Sequence, residues 1–295
     1  MSINPNKLLL SSEFLSVQGE GISSGVPSYF VRLGVCNLSC GMSKSFFNQL
    51  VKDKNLEDGE IFEGDLHKQG KATWTCDSTS QWAWRGEDKD FQYLIDRWKE
   101  QGIYDEIENG TIHIIWTGGE PTIPNHQKAI LNFTDHWVRQ GLSGEDMVIR
   151  NDLQLRKSEH KQKFGPYYEI ETNGTFYIVD ELFRNLDQIN CSPKLSNSGM
   201  TTKQRIVPDA INRIIEHENY QFKFVISTED DIREMFRDFI EPFNIPLKNV
   251  VCMPGLDDQD NFHERTNFVL EMAMKYKFRG LTRLHISAWN QVLNR

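Results

Sequence analysis

Three cysteines near the N-terminus have the spacing of metal ligands. Cys36 and Cys40 are separated by three residues directly after the apolar run SYFVRLGV, and Cys76 follows after 35 more residues. A zinc site would need a fourth Cys or His, and the nearby chain offers only His67. Three thiolates and one vacancy suit a [4Fe–4S] cluster with one open iron. The alternative is three unpaired thiols that pack as small hydrophobic groups.

Composition limits the classes of partner. Of the 295 residues, 38% are hydrophobic and 25% charged, and the net charge is −9. An acidic chain is poorly suited to neutralising phosphates, so we expect no direct nucleic-acid partner. The basic stretch 153–163 is best read as a solvated surface. With no apolar run of about 20 residues and no secretion signal, we expect a cytoplasmic protein without a membrane partner.

Alternating strand-like and helix-like segments predict the fold. The predicted strands are 28–35, 111–116, 167–171, 187–191, 221–227, 249–253 and 281–287. The predicted helices are 87–101, 125–140, 205–218, 229–241 and 261–277. Such alternation predicts an α/β fold with a largely parallel sheet covered by helices, either open or curled into a barrel. Polar stretches at 41–73 and 141–165 are predicted surface insertions in a single domain spanning 1–295.

Six motifs occur in order along the chain: SEFLSVQGEG, VPSYFVRLGVCNLSC, TWTCDS, IIWTGGEP, IETNGT and CSPK. Together they resemble the radical S-adenosylmethionine superfamily and, within it, the 7-carboxy-7-deazaguanine synthase family of queuosine and 7-deazaguanine biosynthesis. The resemblance implies a partial (β/α) barrel with its site at the C-terminal ends of the strands.

One departure from the superfamily is large. Its usual pattern is C-x₃-C-x₂-C, whereas 35 residues separate the second and third cysteines here. Closing a longer loop costs only about 0.6 kcal/mol per doubling of its length. The pattern can therefore hold a cluster if the two ends of the 41–73 insertion meet.

The resemblance implies three cofactors. Cys36, Cys40 and Cys76 would hold the [4Fe–4S] cluster, whose open iron binds S-adenosylmethionine. Ser78, at the position of a family threonine, would bind Mg²⁺ through its hydroxyl. The residues implied to bind S-adenosylmethionine are Thr75, Asp77, Gly118, Gly119, Glu120, Ser192, Pro193, Lys194, Met253, Pro254, Gly255 and Leu256. Read without the resemblance, Gly118–Pro121 is an ordinary strand-to-helix turn.

The implied substrate is 6-carboxy-5,6,7,8-tetrahydropterin, which a radical lyase would convert to 7-carboxy-7-deazaguanine with loss of ammonia. The implied substrate-binding residues are Val17, Gln18, Gly19, Glu20, Arg32, Thr117 and His285. Arg32 would take the substrate carboxylate with its guanidinium fork. Arg32 and Glu171 are the predicted catalytic residues.

The sequence also leads to expectations about partners and to two alternative functions. The resemblance implies an electron donor such as flavodoxin or ferredoxin, and a homodimer. One alternative is another radical enzyme, such as a glycyl-radical activase acting on a partner protein. The other is a non-enzymatic, zinc-stabilised module that uses the 41–73 insertion as an interaction surface.

Overall fold

The strands of the described chain belong to one nine-stranded sheet. The computed structural model describes residues 3–43, 45, 72–76, 86–140, 165–255 and 261–289. The strands are β1 (Leu8–Val17), β2 (Pro27–Leu33), β3 (Glu87–Lys89), β4 (His113–Gly118), β5 (Tyr168–Thr172), β6 (Gln188–Cys191), β7 (Tyr220–Ile226), β8 (Val250–Pro254) and β9 (Arg279–Gly280). Their order across the sheet is β3-β1-β2-β4-β5-β6-β7-β8-β9.

Helices occupy most connections between the parallel strands. They are α1 (Gln92–Glu100), α2 (Tyr104–Glu108), α3 (Pro124–Gln140), α4 (Asp180–Asn185), α5 (Thr202–Arg205), α6 (Pro208–Ile215), α7 (Glu229–Met235), α8 (Glu241–Phe243), α9 (Phe262–Tyr276) and α10 (Leu284–Trp289). From β2 to β9 every ladder is parallel, whereas β1 pairs antiparallel with β2 and β3. Since β3 and β9 lie at opposite edges of the described sheet, the barrel is partial, as predicted.

One face of the sheet carries the apolar core. Successive side chains of a strand point to opposite faces, so Phe222 and Phe224 of β7 share the face that packs against the helices. On β4, Trp116 meets Phe133 of α3 with ring centroids 5.5 Å apart. Burying side chains of this size contributes about 1.5–3 kcal/mol each, which makes the helical layer the main source of stability.

The opposite face of the same strands is polar and largely covered. Glu169 and Glu171 of β5, Asn190 of β6, and Gln221 and Lys223 of β7 all lie on it, and Lys223 is only 1% exposed. Buried polar groups are costly unless they are paired. The burial of so many polar side chains on this face therefore lowers the stability of the fold, which is typical of a functional site.

The strand predictions are confirmed with one exception. Six of the seven predicted strands are present with both ends displaced by no more than two residues. The predicted strand 281–287 is wrong: Leu281 donates its N–H to the Cys252 carbonyl at 3.0 Å, after which the chain leaves the sheet and forms α10. Leu284 donates instead to Gly19 O at 2.9 Å, so contact with the loop after β1 overrides the strand-like pattern.

Other observed helix and strand boundaries differ from the predicted ones because of the local sequence. The predicted helix 205–218 is shorter in the structure: α6 begins at Pro208, after extended backbone at Val207, and ends at Ile215, while Arg205 ends the preceding helix α5. The predicted helix 87–101 begins with β3, which adds a short edge strand beside β1. Strand β1 itself was not predicted, since its serines interrupt the apolar alternation.

The structure bears on two further expectations only through the residues that it describes. Among the described residues, no helix combines the length and apolar character that crossing a membrane requires. Most of the insertion 41–73, and all of 141–165 except Gly165, lies outside the described residues.

Candidate active site

The first cysteine follows a tight turn at the end of β2. Val35, which precedes Cys36, has a φ of 71°. A β-branched residue rarely adopts this left-handed conformation, which costs about 1–3 kcal/mol and is concentrated at functional sites. The Val35 carbonyl accepts the N–H of Glu120 at 3.0 Å. The turn is thus held against the loop that follows β4.

The structure brings the three N-terminal cysteines together. Cys36, Cys40 and Cys76 form no disulfide bond and line one cavity of about 150 Å³. The N–H of Cys76 donates to the Cys40 carbonyl at 3.2 Å. The two ends of the 41–73 insertion therefore meet, which is the condition that the long spacing imposed.

The three cysteines are donors of the kind that an iron–sulfur cube requires. Within the described ranges, no three His, Cys, Asp or Glu side chains are placed to bind a single metal ion. In a cube each thiolate binds a different iron, so its sulfurs lie further apart than the ligands of one ion. Three cysteines line one cavity that also has the backbone of Gly118 and Gly119 in its wall, and they supply the number of thiolates that a cube with one open iron needs.

The predicted S-adenosylmethionine loop follows β4, but its carboxylate has other partners. Glu120 is fully buried, and burial raises its pKa. It accepts hydrogen bonds from the Asn173 N–H at 2.7 Å, the Thr172 hydroxyl at 2.7 Å and the Thr122 N–H at 2.9 Å. These bonds join the β4 and β5 loops. Contact of Glu120 with S-adenosylmethionine stays a prediction.

The loop after β4 leaves no room for a side chain at Gly119. A Cβ there would lie 2.0 Å from the Val35 carbonyl oxygen and 2.8 Å from the Cys36 nitrogen, both backbone atoms. Gly119→Ala should displace the Cys36 turn, lower iron per chain after reconstitution, and reduce the free energy of unfolding by about 1–3 kcal/mol. Urea denaturation and iron analysis measure both effects. Gly102→Ala is the control for iron content: its Cβ would meet no atom within 4 Å, but its φ of 69° strains an alanine, so it should lose about 1–2 kcal/mol of stability and keep wild-type iron. Equal iron content in the two variants would contradict the expectation.

Glu171 lies at the centre of the polar face. Its carboxylate accepts the Gln18 amide at 3.1 Å and the Asn190 amide at 3.1 Å, and it contacts the Lys223 ammonium. Lys223 also reaches Glu20 Oε2 at 3.1 Å. Lys223 therefore bridges the predicted residues Glu20 and Glu171, and Gln18 joins this network through its hydrogen bond to Glu171.

Sequence reasoning missed Lys223, although a signal was present. In QFKFVIS the lysine stands between Phe222 and Phe224 on a buried strand. Alternation sends both phenylalanines to the apolar core, so the lysine must project to the other face. There the two carboxylates raise the pKa of Lys223 despite its burial, and the ammonium stays charged.

The protonation of Glu171 gives a pH-dependent prediction. Burial raises the pKa of Glu171 from its ordinary value of 4.5 to about 7, with Lys223 opposing the rise. Between these values the folded chain holds a proton that the unfolded chain has released, so this group's contribution to stability declines as the pH rises from 4.5 to 7. Relative to the wild type, Glu171→Gln should gain stability between about pH 5 and about pH 7.5. Denaturation at both pH values tests this; a difference that stays constant or moves the other way would refute it.

The segment after β1 meets the C-terminal helix. A Cβ on Gly19 would lie 2.0 Å from Nδ1 of His285, so the two residues are in close contact. Arg283 lies 3.2 Å from Glu20 Oε1. Although burial acts to raise it, the pKa of Glu20 is lowered by the charges of Lys223, Arg283 and His285. His285 therefore lies beside the predicted substrate residues, on a helix rather than on the predicted strand.

Arg32 and Thr117 are neighbours on the polar face of the sheet. They are paired across the β2–β4 ladder, and Thr117 lines the cavity. The Arg32 guanidinium lies 4.9 Å above the Phe14 ring, which stacks on Phe30. Val17 ends β1 opposite Pro27. Arg32 therefore lies beside the cavity residue Thr117, and its binding of a substrate carboxylate stays a prediction.

The remaining predicted S-adenosylmethionine residues divide into three groups. Ser192 and Lys194 line the cavity with the cysteines, and the Lys194 ammonium lies 3.2 Å from the Ser192 hydroxyl, with Pro193 between them. Met253, Pro254 and Gly255 are buried at the end of β8, and Thr75 precedes Cys76. Asp77, Ser78 and Leu256 lie outside the described residues, so the Mg²⁺ prediction has no structural counterpart.

Comparison with known proteins points to one family. No protein-family model matches the chain. Curated relatives named 7-carboxy-7-deazaguanine synthase include one from Pyrobaculum aerophilum, 28% identical over 98% of this chain and 97% of its own length. Another, from Rickettsia prowazekii, is 47% identical over 68% of this chain and 56% of its own length. The crystal structure of QueE from Escherichia coli has the same fold, with a TM-score of 0.52 and 20% identity over 94% of this chain and 93% of that one.

Proposed function

We propose that this chain, as a member of the 7-carboxy-7-deazaguanine synthase family of the radical S-adenosylmethionine superfamily, converts 6-carboxy-5,6,7,8-tetrahydropterin to 7-carboxy-7-deazaguanine with loss of ammonia. The observation that carries the proposal is that three cysteines line one cavity with Gly118, Gly119 and Glu171. All six lie at or beyond the C-terminal ends of parallel strands, where such folds gather their chemistry.

The cysteine side of the cavity serves the cofactors. Cys36, Cys40 and Cys76 would hold a [4Fe–4S] cluster, which with S-adenosylmethionine supplies an organic radical able to remove a hydrogen atom. Ser192 and Lys194 offer a hydroxyl and an ammonium on the same wall. Their role is to hold S-adenosylmethionine in one orientation, since productive geometry is most of what the protein contributes.

The polar face serves the substrate. A pterin has a ring edge of N–H donors and carbonyl acceptors, which Gln18, Glu20 and Glu171 can complement. Arg32 and Thr117 lie further along the same face and would take the carboxylate. A guanidinium can bind a carboxylate through two parallel hydrogen bonds, which fixes orientation as well as charge.

Lys223 and Glu171 differ in whether they can exchange a proton near neutral pH. With a pKa of about 7, Glu171 can gain or release a proton near neutral pH. Lys223 keeps its own proton and contacts both Glu171 and Glu20. We therefore propose that Glu171 gains or releases a proton, and that Lys223 keeps its positive charge and orients the two carboxylates.

Several finer assignments follow from the family. We propose that Mg²⁺ binds at Ser78 and orients the substrate carboxylate. We also propose a single cytoplasmic domain that acts as a homodimer and takes electrons from a flavodoxin or ferredoxin.

The test is product formation under anaerobic conditions. Full-length protein, reconstituted with iron and sulfide, is incubated with S-adenosylmethionine, dithionite and 6-carboxytetrahydropterin. Mass spectrometry should detect 7-carboxy-7-deazaguanine together with 5′-deoxyadenosine and ammonia. Colourless protein that contains zinc and forms no product would instead support a zinc-stabilised binding module.

A further inference from the structure

Both ends of the 41–73 insertion are bound by one three-residue turn. This turn, Ser196–Ser198, follows β6 and the CSPK motif. The Gly41 N–H donates to the Ser198 carbonyl at 2.8 Å, and the Thr73 N–H donates to the Asn197 carbonyl at 2.9 Å. The Trp74 indole N–H donates to the side-chain oxygen of Asn197 at 3.1 Å. A turn distant in sequence thus holds the chain on both sides of the insertion.

The turn is fixed to the body of the fold. The Asn197 amide donates to Asp231 Oδ1 at 3.0 Å and to the Val225 carbonyl at 3.2 Å. The Ser196 N–H donates to Glu234 Oε1 at 2.7 Å. Asp231 and Glu234 are both on α7, and Asn197 is only 5% exposed. Asn197 therefore connects the loop that carries Cys76 to α7 and β7.

Trp74 is the part of that loop that makes the connection. It packs with Cys36 and Cys76 against a small apolar cluster that contains Cys40. Gly41 has a φ of 80°, and a Cβ there would lie 2.3 Å from the Trp74 carbonyl oxygen. The chains entering and leaving the insertion are thus in direct contact, with the indole directed at Asn197.

We propose that Asn197 is a positioning residue that sets Cys76 beside Cys36 and Cys40, acting through Trp74. In the usual superfamily spacing, short separation along the chain keeps the third thiol close to the second. Here 35 residues intervene, so closing the loop has an entropic cost that other contacts must offset. The assignment of these thiols to a cluster rests on the proposed function, whereas the docking of the Cys76 loop does not.

The first test uses protein without a cluster. N-ethylmaleimide labelling of the full-length protein, read residue by residue by mass spectrometry, reports how often each thiol is exposed. Trp74→Phe keeps an aromatic ring and removes the indole N–H, and Asn197→Leu removes all three hydrogen bonds of the Asn197 side chain. Each should speed labelling of Cys76 on the order of tenfold, equivalent to about 1.4 kcal/mol, without a change at Cys191 or Cys252.

Matched controls separate positioning from general destabilisation. Asn132→Leu removes a comparable amide bond, to the Pro5 carbonyl at 2.9 Å. Trp289→Phe alters a partly exposed tryptophan on α10. Both controls should label Cys76 at the wild-type rate. Equal acceleration at Cys76, Cys191 and Cys252 in the Asn197 and Trp74 variants would overturn the proposal, as would no acceleration at Cys76.

The second test uses the reconstituted protein. Iron loss to a chelator should be on the order of tenfold faster in Trp74→Phe and Asn197→Leu than in the wild type. Iron loss at the wild-type rate in both variants would overturn the proposal. If the wild-type chain binds no iron, the proposed function fails on its own, and the labelling pattern still decides whether Asn197 positions Cys76.

Discussion

Replacing Cys76 with alanine should abolish both the cluster and the reaction. The structure places this thiol in one cavity with Cys36 and Cys40, and two thiolates cannot hold a cube that needs three. We expect iron per chain to fall to background and turnover to drop on the order of 10³-fold or more, since the reaction cannot begin without the group. Iron and sulfide analysis and anaerobic product formation measure the two effects.

The control is a cysteine that lies elsewhere. Cys252 is fully buried on β8 and contacts the Met235 sulfur at 3.7 Å, within the apolar core. Cys252→Ala should bind iron and turn over within about twofold of the wild type, since it removes one small buried group. Full iron content in Cys76→Ala would mean that the third ligand is another residue.

Replacing Lys223 with methionine should have the second-largest effect. Methionine keeps most of the volume and removes the charge between Glu20 and Glu171. Breaking a buried ion pair by removing one partner costs about 3–5 kcal/mol. One carboxylate would then keep a proton at neutral pH, because Lys223 lowers the pKa of Glu171 and its loss would move that pKa above 7. We expect kcat/KM to fall by about 10²- to 10³-fold, with its neutral-pH limb moved to higher pH.

A surface pair supplies the matched control. Lys275 lies 2.7 Å from Glu229 Oε1 but is 52% exposed. Lys275→Met should leave activity and the unfolding midpoint nearly unchanged, because exposed ion pairs contribute little. The double variant Lys223→Met/Glu171→Gln should recover part of the lost stability, since it no longer buries an unpaired carboxylate. If Lys223→Met matches Lys275→Met in kcat/KM, Lys223 has no role in the site.

Much of the architecture could be predicted from local pattern. Buried parallel strands are short apolar runs with turn residues at their ends, so β4 to β8 were visible in the sequence. The cysteines and the TGGEP loop follow strands, which placed them at one edge of the sheet. The resemblance then supplied the roles that spacing alone left open.

The features that could not be predicted depend on contacts between distant segments. Residues 284–289 leave the sheet and form a helix where the Leu284 N–H binds the Gly19 carbonyl. Nothing near these residues in the sequence indicates that partner. Glu120 was expected to face a ligand, yet it accepts hydrogen bonds from the Thr172 hydroxyl and the Asn173 N–H at the end of β5. Whether Cys76 could reach Cys36 depended on Asn197, 121 positions beyond Cys76. Local pattern has no information about such pairs.

Three thiols from distant parts of the chain should hold a cube with one iron open to S-adenosylmethionine. Electron paramagnetic resonance of the reduced, anaerobically reconstituted full-length protein can detect this arrangement. We expect a signal typical of a reduced [4Fe–4S] cluster that changes when S-adenosylmethionine is added. A signal that S-adenosylmethionine leaves unaltered, or no iron–sulfur signal at all, would contradict it.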